Sequence, residues 1–311
     1  MVRRSSILGP DGQPVEVAPL AQALAAATAS GARAVFSDTV SSGLTPERLA
    51  RILRSAALGD ARDYLTLAIE MEDRYLHYSS QLQTRRLAFE AITPSVSAAK
   101  EVPEPIVTFV HELIEDPAFR DMACALADGV AKGYAVAEIM WDYRAGRLRP
   151  AGYEERDQRY FRYDEVAQRD LLLITDEEPL GAPLPQAKFI RHEPRLRGGT
   201  ALRRGLARPA AWAYLVQSFT LQDWSIFAQI YGIPLRVGRY PRNATDAEKM
   251  RLLRAVRDIA NDAAAVIPEG MNLEFHAIAG TQGEKVFGAL LQYLDRNVSK
   301  LILGQTMTAD D

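Results

Sequence analysis

Residues 198–241, GGTALRRGLARPAAWAYLVQSFTLQDWSIFAQIYGIPLRVGRYP, change character once along their length, and the change decides the fold class. After Gly198-Gly199, Thr200 opens roughly thirty residues of helical pattern, with Trp212, Leu215, Val216, Phe219, Ile226, Phe227 and Ile230 on one broad face. Pro209 lies inside that pattern. Its missing N–H and its ring predict a kink or a restart there. The helical period stops at Gly232, and IPLRVGRY reads as a strand. A new helix then opens with a capping box, Thr245-x-x-Glu248, in which each residue satisfies an N–H of the other. Its apolar stripe runs Leu253, Val256, Ala260, Ala263 and Ile267, and the opposite face carries Lys249, Arg251, Arg254 and Arg257. Between strand and helix lies a basic, proline-containing loop. Arg236, Arg239, Arg242, Asn243 and Lys249 lie in or beside it, and their charge raises the question of which negatively charged object such a loop would meet.

Toward the N-terminus the punctuation is equally clear. Residues 45–60, TPERLARILRSAALGD, predict a helix with Thr45 as N-cap, Pro46 in its first turn and Leu49, Ile52 and Leu53 on one face. Residues 63–92 predict one long helix, closed off by Pro94, Pro103 and Pro105. Residues 103–141 predict two helices broken at Asp116-Pro117, with Ile106, Phe109, Val110, Leu113 and Ile114 at helical spacing, and then a hairpin around Ala145-Gly146. Short β runs alternate with a Pro/Gly-rich loop over 156–194. Beyond the opening stretch, 263–278 predicts a hairpin turning at 268–270. A last helix over 284–303 is expected to bury Phe287, Leu290, Leu291, Leu294 and Val298. The first 40 residues show little periodicity and read as an arm. The class is α+β, mostly helical, with one β-rich insertion.

Composition excludes several classes of function. The chain of 311 residues is 48% hydrophobic and 25% charged, which indicates neither disorder nor a fibrous repeat. A net charge of −3 argues against a protein that coats nucleic acid indiscriminately, yet residues 191–257 carry 13 Arg/Lys against 4 Asp/Glu. No apolar run approaches a membrane span and no signal peptide is evident, so the reading is intracellular. A single cysteine, Cys124, precludes an internal disulfide and any cysteine-based zinc site. His77, His111, His192 and His276 lack metal-ligand spacing, and 280–285, GTQGEK, lacks the spacing of a phosphate loop. There is no nucleophile elbow. The carboxylates of 153–157, YEERD, and 308–311, TADD, cannot be paired from sequence. No catalytic residue, cofactor or metal site is assigned.

Three segments, in this order and spacing, resemble the portal proteins of tailed bacteriophages, most closely the Mu-like branch. Residues 67–92, LAIEMEDRYLHYSSQLQTRRLAFEAI, resemble that branch's N-terminal helix. Residues 125–150, ALADGVAKGYAVAEIMWDYRAGRLRP, resemble its helix-then-hairpin entry to the wing. The opening stretch is similar to the long helix after the clip, ending in YGIP before a strand, and 297–311, NVSKLILGQTMTADD, also fits the pattern. The likeness covers roughly 44–311. It implies a portal fold divided into an N-terminal arm (1–40), wing (41–155 and 261–311), clip (156–197), stem helix (198–232), and tunnel loop with channel-side helix (233–260). Members usually continue into a crown, for which this chain leaves no residues.

The resemblance further implies a structural subunit, not an enzyme, in a ring of probably twelve copies at a capsid vertex. Double-stranded DNA would pass through it without sequence recognition. Terminase large subunit, head–tail connector, capsid and scaffold proteins would be its partners, with the virion as its location and no membrane contact. On this reading Arg236, Arg239, Arg242, Asn243, Lys249 and Arg251 line the DNA channel, and Arg203, Arg204 and Arg208 belong to the stem, facing DNA or a neighbour's acids. The aromatic stripe of 212–227 reads as helix core or subunit contact. Rival readings are a stand-alone nucleic-acid-binding module using 191–257 and an enzyme whose site gathers scattered carboxylates.

Overall fold

The computed structural model describes residues 12, 14–15, 17, 19–26, 39–144, 147–232, 236–258, 264–268 and 280–305. Two compact units divide the chain. One comprises 1–215 with 295–311, and the other 216–294.

In the larger unit, α1 (Pro46–Ala57) starts as its sequence predicts, with the Thr45 side chain accepting from the Arg48 N–H at 3.2 Å. Its face of Leu49, Ile52 and Leu53 is buried. The long helix predicted over 63–92 is in fact two, α2 (Arg62–Arg74) and α3 (Leu76–Glu90). The break falls at Tyr75, whose ψ of 87° turns the chain out of the helix. No glycine or proline marks it. Tyr75 is instead held by tertiary contacts: it is fully buried, and its hydroxyl donates to Asp295 at 3.1 Å. α2 buries Tyr64, Leu65, Leu67, Ala68 and Met71, together with Thr66 and Glu70, so apolar surface surrounds it on nearly every side. A helix patterned that way sits in a core, and each such large side chain contributes about 2 kcal/mol by leaving water.

The next pair, α4 (Glu104–Glu115) and α5 (Pro117–Leu126), breaks where expected, because the Asp116 carboxylate caps the Ala118 N–H at 2.9 Å. Beyond α6 (Gly129–Lys132) the hairpin forms as β1 (Ala135–Arg144) and β2 (Arg147–Arg156), antiparallel, with a bulge at 140–141. Its tip, Ala145-Gly146, is outside the described residues. Strands β3 (Phe161–Tyr163), β4 (Leu171–Leu173) and β5 (Ala182–Pro183) make a second small sheet. β6 (Phe189–His192) returns to pair with β1. The β-rich stretch is therefore tied to its neighbours at both ends: Phe161, Tyr163, Leu171 and Leu173 join the core built on α1–α3.

The helix predicted from Thr200 restarts as α7 (Ala201–Arg204) and α8 (Ala207–Gly232). The break lies at 205–206, four residues ahead of Pro209, and packing explains it. A Cβ on Gly205 would lie 2.6 Å from the Ala131 carbonyl oxygen, and one on Gly133, at φ +108°, would lie 2.4 Å from the Ala201 carbonyl oxygen. Two glycines thus let α6 and α7 touch backbone to backbone.

The N-terminal arm is only partly an arm. Leu20, Ala25 and Val40 are buried, and two carboxylates hold this segment down. Glu138, on β1, accepts from the Leu24 and Ala25 N–H groups at 2.6 and 3.2 Å and from Arg156 Nε at 2.7 Å. Lys188 Nζ lies 3.2 Å from the same carboxylate and donates to the Leu20 and Ile139 carbonyls. Glu70 accepts from the Val40 and Ser41 N–H groups at 2.8 and 2.6 Å. Burial pulls the Glu138 carboxyl upward, but the two amides and Arg156 outweigh it, and its pKa falls below the ordinary value.

In the smaller unit, β7 (Arg236–Tyr240) pairs in parallel with β8 (Ala264–Pro268), and α9 (Asp246–Asp258) lies between them in sequence. Parallel neighbours need such a crossover. α9 is shorter than its stripe predicts: Ile267 belongs to β8, not to the helix. The predicted hairpin over 263–278 is described only in its first half, and 269–279 lies outside the described residues. α10 (Gly280–Leu303) opens four residues earlier than expected and runs on into the larger unit, where Val298 and Ile302 are buried. Leu294 is also buried, Phe287 and Leu291 are partly covered, and Leu290 stays exposed.

Candidate nucleic-acid interface

The basic loop after β7 is a capped turn. The Ala244 N–H donates to the Pro241 carbonyl at 3.0 Å, and the Glu248 carboxylate accepts from the Thr245 N–H at 2.8 Å, completing the predicted capping box. The Thr245 amide holds the Glu248 carboxyl below its usual range. Arg239, Arg242 and Asn243 are exposed around this turn, and Arg251 and Arg254 are exposed on α9. At Arg236 only the backbone is described. Lys249 is less free: its ammonium pairs with Asp246 at 2.8 Å and sits 5.5 Å from the centroid of the Tyr240 ring. The hydrogen bond to Asp246 raises its pKa. The turn therefore presents Arg239 and Arg242 as its available cations, with Lys249 bracing it from behind.

The cations near α7 divide differently. Arg203 is exposed, and its carbonyl accepts from Arg197 Nε at 2.7 Å. Arg204 lies 3.9 Å from Glu193. Arg208 turns into the fold, donating to the Leu53 carbonyl at 2.5 Å, and burial lowers its pKa. Of the three predicted stem arginines, Arg208 is thus engaged in structure. Three others, Arg191, Arg195 and Arg197, stand beside Arg204, and sequence reasoning had counted them only as part of a charge excess. Their run into Gly198-Gly199 was the available signal.

The aromatic stripe has a structural explanation in the smaller unit. Trp224 stacks on Phe287 with centroids 6.3 Å apart, and Phe227 approaches the same ring at 5.7 Å. Among the described residues no group of three His, Cys, Asp or Glu side chains converges as a metal site. His77 Nε2 lies 2.7 Å from Ser299 Oγ, and His111 is exposed; His276 and 308–311 are outside the described residues. Burial pushes the Cys124 thiol up, away from the reactive thiolate. Glu154 and Asp157 are taken up by Arg156 and Arg159. No helix among the described residues is long and apolar enough to cross a membrane.

The described residues thus combine a long helix, α8, with a capped basic turn between β7 and α9. Comparison with known proteins gives the class. The family model described as the portal protein of Mu bacteriophage matches residues 65–311. The Mu-like prophage FluMu protein gp29 of Haemophilus influenzae is 36% identical over 281 residues, covering 88% of this chain and 54% of that protein. The portal protein of Escherichia phage Mu is 34% identical over 275 residues, covering 87% of this chain and 53% of its own. The chain belongs to the Mu portal protein family. It spans about half the length of these curated relatives.

Proposed function

We propose that this chain is the subunit of a portal ring at one vertex of a phage capsid, a conduit through which double-stranded DNA enters during packaging and leaves on ejection. The observation that carries the reading is the family match over 65–311, which takes in the long helix, the capped turn and the closing helix together. In this reading 41–155 and 261–311 form the wing, 156–197 the clip, 198–232 the stem and 233–260 the tunnel loop with its channel-side helix. The clip receives the terminase large subunit and later the head–tail connector, while capsid and scaffold proteins surround the wing. The ring has twelve copies.

Duplex DNA carries a negative charge about every 1.7 Å of axis, so even one exposed arginine per subunit becomes a collar when repeated around it. Arg239 and Arg242, with Asn243 and Arg251, supply that collar, and Arg236 extends it. A conduit indifferent to sequence needs contacts to the phosphate backbone, which arginines repeated around a ring supply. The net charge of −3 keeps the remaining wall from gripping its cargo.

Mass measurement of the purified protein with negative-stain imaging tests this. Closed rings are expected. A monomer or dimer that grips free duplex at physiological salt would favour the second reading, a stand-alone module drawn from the same basic segment.

A further inference from the structure

The geometry points to a phosphodiester-binding cleft built from Arg191, Arg195, Arg197 and Arg204 on the larger unit. The inference rests on local geometry alone and holds whether or not the chain assembles into rings.

The chain leaves β6 at His192, passes through 193–199 and enters α7, and four arginines and Glu193 converge along the way. With Gly198 they line a depression of about 520 Å³. The acid is already committed. One Glu193 oxygen accepts from the Tyr163 hydroxyl at 2.7 Å and lies 3.3 Å from Arg191 Nε, while the other lies 3.9 Å from Arg204 Nη1. Glu193 thereby orients two guanidinium groups and neutralises at most one. Arg191 Nη1 also donates to the Arg169 carbonyl at 3.1 Å, and Arg197 donates to the Arg203 carbonyl, which fixes its fork. Arg195 is exposed and has no partner among the described residues. Arg204 Nε is shielded from solvent with no acceptor in reach.

Four cations against one acid in a single depression repel one another, and that cost remains in the isolated fold. An oxyanion offering several acceptor oxygens relieves it. Guanidinium forks match phosphate oxygens two at a time, a geometry an ammonium lacks. The lining holds no aromatic or large apolar side chain, so the contacts it offers a nucleic acid are guanidinium forks suited to phosphate oxygens. The ligand is therefore the backbone of a nucleic acid, contacted without regard to sequence.

The test uses the full chain and a short fluorescent DNA duplex, with anisotropy followed across a salt series from low ionic strength. The wild-type protein is expected to bind with a log–log salt dependence that weakens by about 0.9 for each cleft arginine removed, in Arg195→Ala and again in Arg195→Ala/Arg204→Gln. Arg195→Glu is expected to weaken binding further. Arg195 is unpaired, so its variants should unfold at the wild-type midpoint, and that measurement accompanies each titration. Arg251→Ala, on α9, is measured in parallel, so that loss at the turn and loss at the cleft are told apart. An unchanged slope in the arginine variants, or no duplex binding by the wild-type at low salt, overturns the assignment. Inorganic phosphate that saturates the site while duplex does not would reassign it to a free anion. Polyglutamate that displaces duplex as well as an equal charge of phosphate would reassign it to an acidic protein. Either outcome overturns a nucleic-acid cleft.

Discussion

Among the described residues the two units differ in whether a closed core accompanies their exposed apolar side chains, for the larger unit also leaves Leu76 and Val166 in solvent. In the larger one, Leu49, Leu67, Met71 and Tyr78 are completely withdrawn from solvent. In the smaller one, large apolar side chains stay in view: Phe219 is 40% exposed, Ile226 45% and Val286 65%. Both segments are comparably apolar in sequence, so the difference lies in what surrounds them. A layer of helices on small sheets closes around α2, whereas the described part of the smaller unit is a two-stranded sheet with α9 and the adjoining stretches of α8 and α10. The larger unit is stabilised from within. The smaller one leaves Phe219, Ile226 and Val286 in solvent, as well as Arg239, Arg242 and Arg251.

Substitutions can break this comparison, and the largest effect is expected at the buried charge cluster. Glu138→Ala leaves Lys188 and Arg156 without their shared carboxylate and frees the amides of Leu24 and Ala25. A loss of about 3–5 kcal/mol in urea unfolding is expected, with faster proteolysis before Val40. Because the folded pKa of Glu138 is depressed, its contribution is complete above the unfolded value of about 4.5 and disappears as pH falls through the lower folded value. Unfolding midpoints measured from pH 6 downward should drop in that acid range for the wild-type and much less for Glu138→Gln.

The next test applies one kind of truncation to each unit. Leu67→Ala should cost about 2–5 kcal/mol, whereas Ile226→Ala should stay within about 0.5 kcal/mol of wild-type. Equal losses would show that the smaller unit has a closed core after all. Phe219→Ser sharpens the point: its thermal midpoint should hold, and, if the proposed ring forms through this face, its measured mass should fall below that of the wild-type assembly. Smallest are the two helix caps. Thr45→Ala, on a helix locked into the core, should lose about 1 kcal/mol, and Thr245→Ala, on exposed α9, should lose less. Thermal unfolding followed by circular dichroism reads both.

Much of the fold was legible because the deciding signals were local. Thr45 and Pro46, Asp116 and Pro117, and Thr245 with Glu248 each act over three or four residues, and each produced the element they predict. The break at Tyr75 was illegible because Asp295, 220 residues away, helps hold it. The restart at 205–206 needed the approach of α6, and the anchoring of Leu20, Leu24 and Ala25 needed Glu138 on β1 and Lys188, in the turn before β6, to meet. The candidate interface was half legible. Arg239, Arg242 and Asn243 stand exposed around the turn where the loop composition put them, but Lys249 is spent on Asp246 and Arg208 on Leu53. Arg191, Arg195 and Arg197 escaped notice because a charge count carries no direction.

By itself the sequence determined the helix caps, the hairpin, the α+β class and the family, since all of these depend on residue type and spacing along the chain. Only the tertiary structure decided where long elements break, which charges are consumed and which remain available. Those outcomes depend on groups far apart in sequence coming within a few ångströms, and the Coulomb, hydrogen-bonding and packing energies that settle them do not exist until the chain has folded.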